Sequence, residues 1–251
     1  MLKLASAFKG YSIEASDGEI GTVADFLFDD RNWLTRWLVV DTGKWLTGRK
    51  VLLHPAALGK ADHERRELPV ALTKAQIQGS PELSAHEPVS MQMEHLLYDY
   101  YGWQPMSIES AFGANPIASK YSAPPLFVFA PVAETAIRPD ACNPHLRSLE
   151  AITGYHIIGS DGEIGKAEDM LIDDAGWGVP YLVVDAGNWW SGKHVLMSRH
   201  TVREISWADR QIRVEVALHQ VKASPPWTVL GDVDPDYEKD LHDHYNWPGH
   251  R

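Results

Sequence analysis

Cys142 is the only cysteine in the 251-residue sequence, so no disulfide can close within one chain and nothing points to an oxidising compartment. Long apolar runs are missing as well. The longest, residues 124–132, is under half of the ~20 residues that a membrane-spanning helix needs. Residues 1–6 lack the apolar stretch of a signal peptide, and a cytoplasmic location with no membrane span is expected. Basic residues are in deficit, 23 against 34 acidic ones, for a net charge of −11. Such a surface repels phosphate backbones and anionic lipid, so no nucleic-acid partner is expected. Gly-x-Gly-x-x-Gly, Walker-type, Gly-x-Ser-x-Gly and His-Glu-x-x-His patterns do not occur, which leaves the common cofactor and hydrolase sites without support.

What the chain does have, it has twice. Ser16-Asp17-Gly18-Glu19-Ile20-Gly21 returns as Ser160-Asp161-Gly162-Glu163-Ile164-Gly165, an offset of 144 residues. The same offset pairs Asp29-Asp30 with Asp173-Asp174, Trp33 with Trp177, and Leu38 to Asp41 with Leu182 to Asp185. It still holds at Tyr101 and Trp103, which match Tyr245 and Trp247. Roughly a third of the paired positions are identical, far above chance at one fixed offset. The chain divides into repeat 1 with its helix (1–106), a linker rich in Pro, Ala and Ser (107–143), and repeat 2 with its helix (144–251). Each repeat is long enough to bury a core of its own.

Within a repeat, the segments 2–8 and 146–152 read as first strands. Asp17-Gly18 between strand-like runs signals a type I′ hairpin, and Gly21 a bulge or a close backbone approach. Leu34 to Asp41 is apolar on both faces, as a central strand is. Short helices follow, with Thr73, Ser90 and Asp234 as N-caps and Gly102 where a C-terminus wants it. Short strands at spacings of about ten residues predict an all-β barrel or sandwich.

The ordered pattern Gly-Tyr-x-Ile, Asp-Gly-Glu-Ile-Gly, Asp, Asp-Asp, Trp, Leu-Val-Val-Asp, Gly, Trp, Gly, Val-Leu resembles the PRC-barrel domain. That domain is found in the cytoplasmic part of the photosynthetic reaction-centre H subunit and in a ribosome-maturation factor. The double copy, with Ser-Pro before a helix and the ending Tyr100-Tyr101-Gly102-Trp103, is similar to the stand-alone tandem PRC-barrel proteins of bacteria. The likeness spans both repeats. It implies two small PRC-type β-barrels of about six strands, each followed by a short helix, used for docking or assembly without catalytic residues. The chain lacks the membrane helix of the H subunit and the RNA-associated domain of the maturation factor, so neither role carries over.

Four acids carry structural expectations. Asp17 and Asp161 are turn formers, whereas Asp25 and Asp169 fall inside apolar strands and need backbone N–H donors to be tolerable there. Asp29-Asp30 and Asp173-Asp174 lack the spacing of a calcium loop and read as turns. His242 and His244 lie two apart on a helix, so they would not converge on one ion. They read as a solvated helix end, with His250 beyond them, and no metal or cofactor is expected. Cys142 has no neighbouring base to activate it.

Candidates for contact with a partner are Trp45, Trp189 and Trp190 in short Gly-bounded loops, and the linker patch Leu126, Phe127 and Phe129. The function expected is a non-enzymatic protein–protein interaction module of unidentified partner, with a homodimer expected because duplicated modules often keep a self-complementary face. The alternative is a small-ligand or metal sensor using the cleft between repeats.

Overall fold

The structure is a computed structural model that describes residues 1–46, 49–81, 89–103, 143–187, 194–227 and 233–247. Most of the linker therefore lies outside the described residues. The chain starts with β1 (Leu2–Leu4) and the single helical turn α1 (Ala5–Phe8). It continues through β2 (Ser12–Ala15), β3 (Gly18–Asp29), β4 (Leu34–Asp41), β5 (Lys50–Leu53) and β6 (Glu67–Pro69) to α2 (Lys74–Gln78) and α3 (Met91–Tyr101). The second half repeats this order with one added strand, β12. It comprises β7 (Leu146–Ser148), α4 (Leu149–Ile152), β8 (His156–Ile158), β9 (Glu163–Asp173) and β10 (Tyr181–Asp185). Then come β11 (His194–Ser198), β12 (Val202–Ser206), β13 (Gln211–Val214), α5 (Leu218–Lys222) and α6 (Pro235–Tyr245).

The protein is mainly β, in two mixed sheets. One runs β5-β4-β3-β2-β6 and the other β11-β10-β9-β8-β13-β12, with β2–β6 and β8–β13 parallel and the remaining pairs antiparallel. Among the described residues neither sheet closes on itself, whereas the resemblance to the PRC-barrel domain implied two closed barrels. β3 and β9 are each much longer than β2 and β8, their neighbours on one edge. The first part of β3 pairs with β2, and its last part takes β7 from the other half, with Leu27, Phe28 and Asp29 opposite Ser148, Arg147 and Leu146. β1 crosses the other way, placing Leu2, Lys3 and Leu4 opposite Asp173, Ile172 and Leu171 of β9. The two registers are equivalent at the 144-residue offset. Each half thus completes the other's sheet.

This exchange also corrects the expected first strands. Both stop after three residues and turn helical, as α1 and α4. The turn carries Phe8 and Ile152, both almost fully buried, into a single apolar cluster that includes residues of both halves. Phe26 stacks on Trp177 at 6.0 Å, and Phe8 meets the same indole at 6.0 Å. The interior is therefore common to the two halves, where two separate cores were expected.

Bulges explain why the apolar residues of β3 break period two. Ile20, Val23, Phe26 and Phe28 all face the shared core, and register shifts at Val23/Asp25 and Ile13/Glu14 each insert one residue that resets the face. Gly21 lies at φ 149°, and a Cβ there would sit 2.1 Å from the Asp41 carbonyl oxygen. In β4, Leu38 and Val40 point to the core while Trp37 and Val39 lie beneath α3. The strand is buried on both faces, as its composition predicts. α6 covers the matching face of the second sheet, packing Leu241, Tyr237 and Trp247 with Tyr181, Val183 and the incoming Leu2 and Leu4.

The Asp-Gly hairpins form without the type I′ geometry. Gly18 and Gly162 have positive φ, but Asp17 and Asp161 do not. Their carboxylates are used elsewhere: Asp17 accepts the Lys74 N–H at 2.8 Å and Asp161 the Leu218 N–H at 2.7 Å, capping α2 and α5. In α2 the N-cap Thr73 adds its hydroxyl, whereas Ala217 of α5 has no side-chain acceptor. Ser90 and Asp234 cap α3 and α6, which end at left-handed Gly102 and Asn246.

Candidate functional site: the seam between the halves

Three cavities lie along the seam. The first, of about 330 Å³, is bounded by α1, α4 and the middles of β3 and β9, and both Asp25 and Asp169 line it. Each acid serves the crossing segment of the opposite half. Asp25 accepts from the Ser148 hydroxyl, the Glu150 N–H at 3.1 Å and its neighbour's Phe26 N–H at 2.8 Å. Asp169 accepts from the Ser6 hydroxyl, the Ser6 N–H at 3.3 Å and the Met170 N–H at 2.7 Å. Burial raises both carboxyls above their ordinary range, against the opposing pull of these hydrogen bonds. Beside the local Phe26 and Met170 N–H groups, the donors Ser148, Glu150 and Ser6 come from the other half of the chain, which sequence reading could not name.

A second cavity of about 730 Å³ opens where the β3–β4 turn meets the segment 199–205. Asp30 anchors its wall, accepting from Arg147 Nε at 2.5 Å and pairing with His145 Nδ1 at 2.9 Å. Arg31 grips the buried Asp29 through Nε at 2.9 Å and Nη2 at 2.6 Å. Burial alone would raise the Asp29 carboxyl, but the Arg31 guanidinium holds it below the usual range. Arg199 donates to the Asn32 carbonyl at 2.8 Å, tying the second half to this turn.

A third cavity, of about 610 Å³, sits at the equivalent place on the other side, where His63 Nε2 meets Asp174 at 2.9 Å. Between these two lie the tryptophan turns. Trp33 and Trp177 have φ of 59° and 57°, a conformation bulky residues rarely adopt. Both indoles are buried, and the backbones cross-pair: Thr35 N–H donates to the Trp177 carbonyl at 2.9 Å and Val179 N–H to the Trp33 carbonyl at 2.8 Å. These two residues anchor the seam.

The sheets and their outer helices are joined by a polar link. Trp37 Nε1 donates to Glu94 at 2.8 Å, and at the equivalent positions the Tyr181 hydroxyl donates to Glu238 at 2.7 Å. Burial, reinforced by Glu238, pushes the Tyr181 phenol far up, so it stays a donor. His242 sits against the same hydroxyl at 2.6 Å and is buried, a correction to the solvated helix end expected there. Its position matches that of buried Tyr98, so the fold wants a ring under the helix. His244 turns to the Gln220 carbonyl instead, at 2.8 Å. Among the described residues no group of three or more His, Cys, Asp or Glu is placed to hold a metal ion.

Trp45 is half-buried and rests on the shared core, so less of it is presented than its loop position suggests. Trp189, Trp190, Leu126, Phe127, Phe129, Cys142 and His250 lie outside the described residues. Among the described residues no helix is long and apolar enough to cross a membrane. The chain matches no protein-family model and no curated protein.

Proposed function

We propose that the chain is a non-enzymatic binding module, a tandem of the PRC-barrel type in which two duplicated units act as one body. The observation that supports this best is the use made of Asp25 and Asp169. They are half-buried acids that share a cavity and would be natural candidates for a general acid and base. Each is already occupied by a hydroxyl and backbone N–H groups of the crossing segment. That arrangement suits rigid joining rather than proton transfer to a substrate. The exchange also uses up, inside the chain, the self-complementary contact from which a homodimer was expected. A dimer of whole chains would need another face.

The test separates stability from binding. Asp25→Asn and Asp169→Asn should shift the urea midpoint while leaving ligand or partner affinity unchanged within error. Loss of a measurable catalytic turnover in either variant, with the fold intact, would overturn the reading. A second reading, a small-ligand sensor, is favoured by one feature: the cleft of about 730 Å³, lined by both halves, is of the size that small-molecule sites have. A ligand-dependent rise in melting temperature is its signature.

A further inference from the structure

We infer that the cleft between the β3–β4 turn and the segment 199–205 binds a small, multiply charged oxyanion, a phosphate ester or a polycarboxylate. The inference rests on reading the cleft as a ligand site. Its basis is a comparison that the molecule makes with itself. Four arginines, Arg31, Arg147, Arg199 and Arg203, line this cleft; Arg31 pairs with Asp29, Arg147 with Asp30 and Arg203 with Glu215, and Glu204 stands in the same wall. At the 144-residue offset these arginines correspond to Ala175, Lys3, Pro55 and Gly59. The equivalent cleft is lined by no arginine, and Ala175 and Gly59 stand in its wall. The same backbone arrangement therefore forms without the guanidinium groups, and folding does not demand them.

Chemistry narrows the ligand. In a chain of net charge −11, four guanidinium groups collect on this one wall. The planar fork of arginine matches phosphate and carboxylate oxygens in pairs, which an ammonium cannot do. Arg147 uses Nε for Asp30, and its guanidinium lies 5.2 Å over the Trp207 ring, which fixes it in place. Arg31 gives Nε and Nη2 to Asp29 and Arg203 gives Nη2 to Glu215; with side chains 60% and 65% exposed, their remaining donors reach solvent. A long polyanion would meet the acidic surface beyond the cleft, so a compact ligand is favoured over nucleic acid.

The 251-residue chain should be titrated calorimetrically with pyrophosphate and with citrate, at ionic strength held constant with sodium chloride. Saturable binding of one or both is expected, and the stronger of the two identifies phosphate or carboxylate chemistry. Arg203→Gly installs the residue of the equivalent cleft and should weaken binding about tenfold, as loss of a charge-assisted hydrogen bond does. Arg31→Ala, whose loss also exposes Asp29, is the second variant, and each is checked by its ligand-free melting temperature. Lys60→Ala in the other cleft should change nothing. Absence of saturable binding by either anion overturns the inference, as does Arg203→Gly binding like the parent, or a single-stranded RNA binding more tightly than pyrophosphate at matched ionic strength. Binding of a neutral ligand in the cleft together with failure of both anions would leave the sensor reading standing and remove only the anion.

Discussion

At Asp25 and Asp169 the carboxylate oxygens receive hydroxyl and N–H donors from the crossing segment of the opposite half. Asp25→Ala would leave the Ser148 hydroxyl and the Glu150 N–H without their acceptor, at a cost of about 1–3 kcal/mol in urea unfolding. Burial raises the two carboxyls, so the folded state holds those protons to higher pH than the unfolded chain does. Their contribution to stability is therefore present in acid and fades as pH rises through the folded value. His54 works in the opposite sense. Burial, with Arg36 nearby, lowers its imidazole from 6.5 to about 4, because the neutral ring is enclosed by Trp37, Tyr98 and Trp103. Its contribution is complete above the unfolded value and is lost as pH falls towards 4, at most on the order of 3 kcal/mol. The urea midpoint of the parent should rise between pH 4 and 7. His54→Ser, which places the residue found at position 198, should flatten that rise. Asp25→Asn combined with Asp169→Asn should steepen it.

Among the elements, the hairpins depend on close backbone contact. A methyl group at Gly21 or Gly165 would lie 2.1 Å from the carbonyl of Asp41 or Asp185, so each Gly→Ala change must part β3 from β4 or β9 from β10. The expected loss is about 3 kcal/mol or more, read as a lower melting temperature, since backbone cannot step aside as a side chain can. The small helices offer a finer contrast. α5 has Asp161 but no hydroxyl at its N-cap, whereas α2 has both Asp17 and Thr73. Asp161→Ala should therefore speed hydrogen exchange at residues 218–222 more than Asp17→Ala does at 74–78.

For the whole molecule, the shared interior and the exchanged strands make the halves interdependent. Phe8→Ala empties a fully buried site that touches Tyr11, Phe26, His63 and Trp177, at an expected cost of about 3–5 kcal/mol. Since Trp177 belongs to the second half, that loss should lower one cooperative transition monitored by both near-UV circular dichroism and tryptophan fluorescence. Two separate transitions would contradict a common core. The fragment 143–251 supplies a first strand, β7, and a β9 that lacks its partner. It should form a two-fold dimer by light scattering, with β7 of one copy on β9 of the other.

The sequence by itself determined the local punctuation. Thr73, Ser90 and Asp234 cap helices where their short polar side chains reach free N–H groups, Gly102 ends one, and Gly21 permits the close approach of two backbones. The β-branched and aromatic run of β4 also announced a strand buried on both sides. Such signals act within a few residues and can be read without knowing the rest of the chain. Only the tertiary structure decided which half each first strand joins. A strand edge is a row of N–H and C=O groups that carries no label, and β1 and β7 would present equivalent registers to either partner. The arginine cleft was illegible for the same reason: Arg31, Arg147, Arg199 and Arg203 are ordinary surface cations along the chain, and the crossing of the halves sets them on one wall.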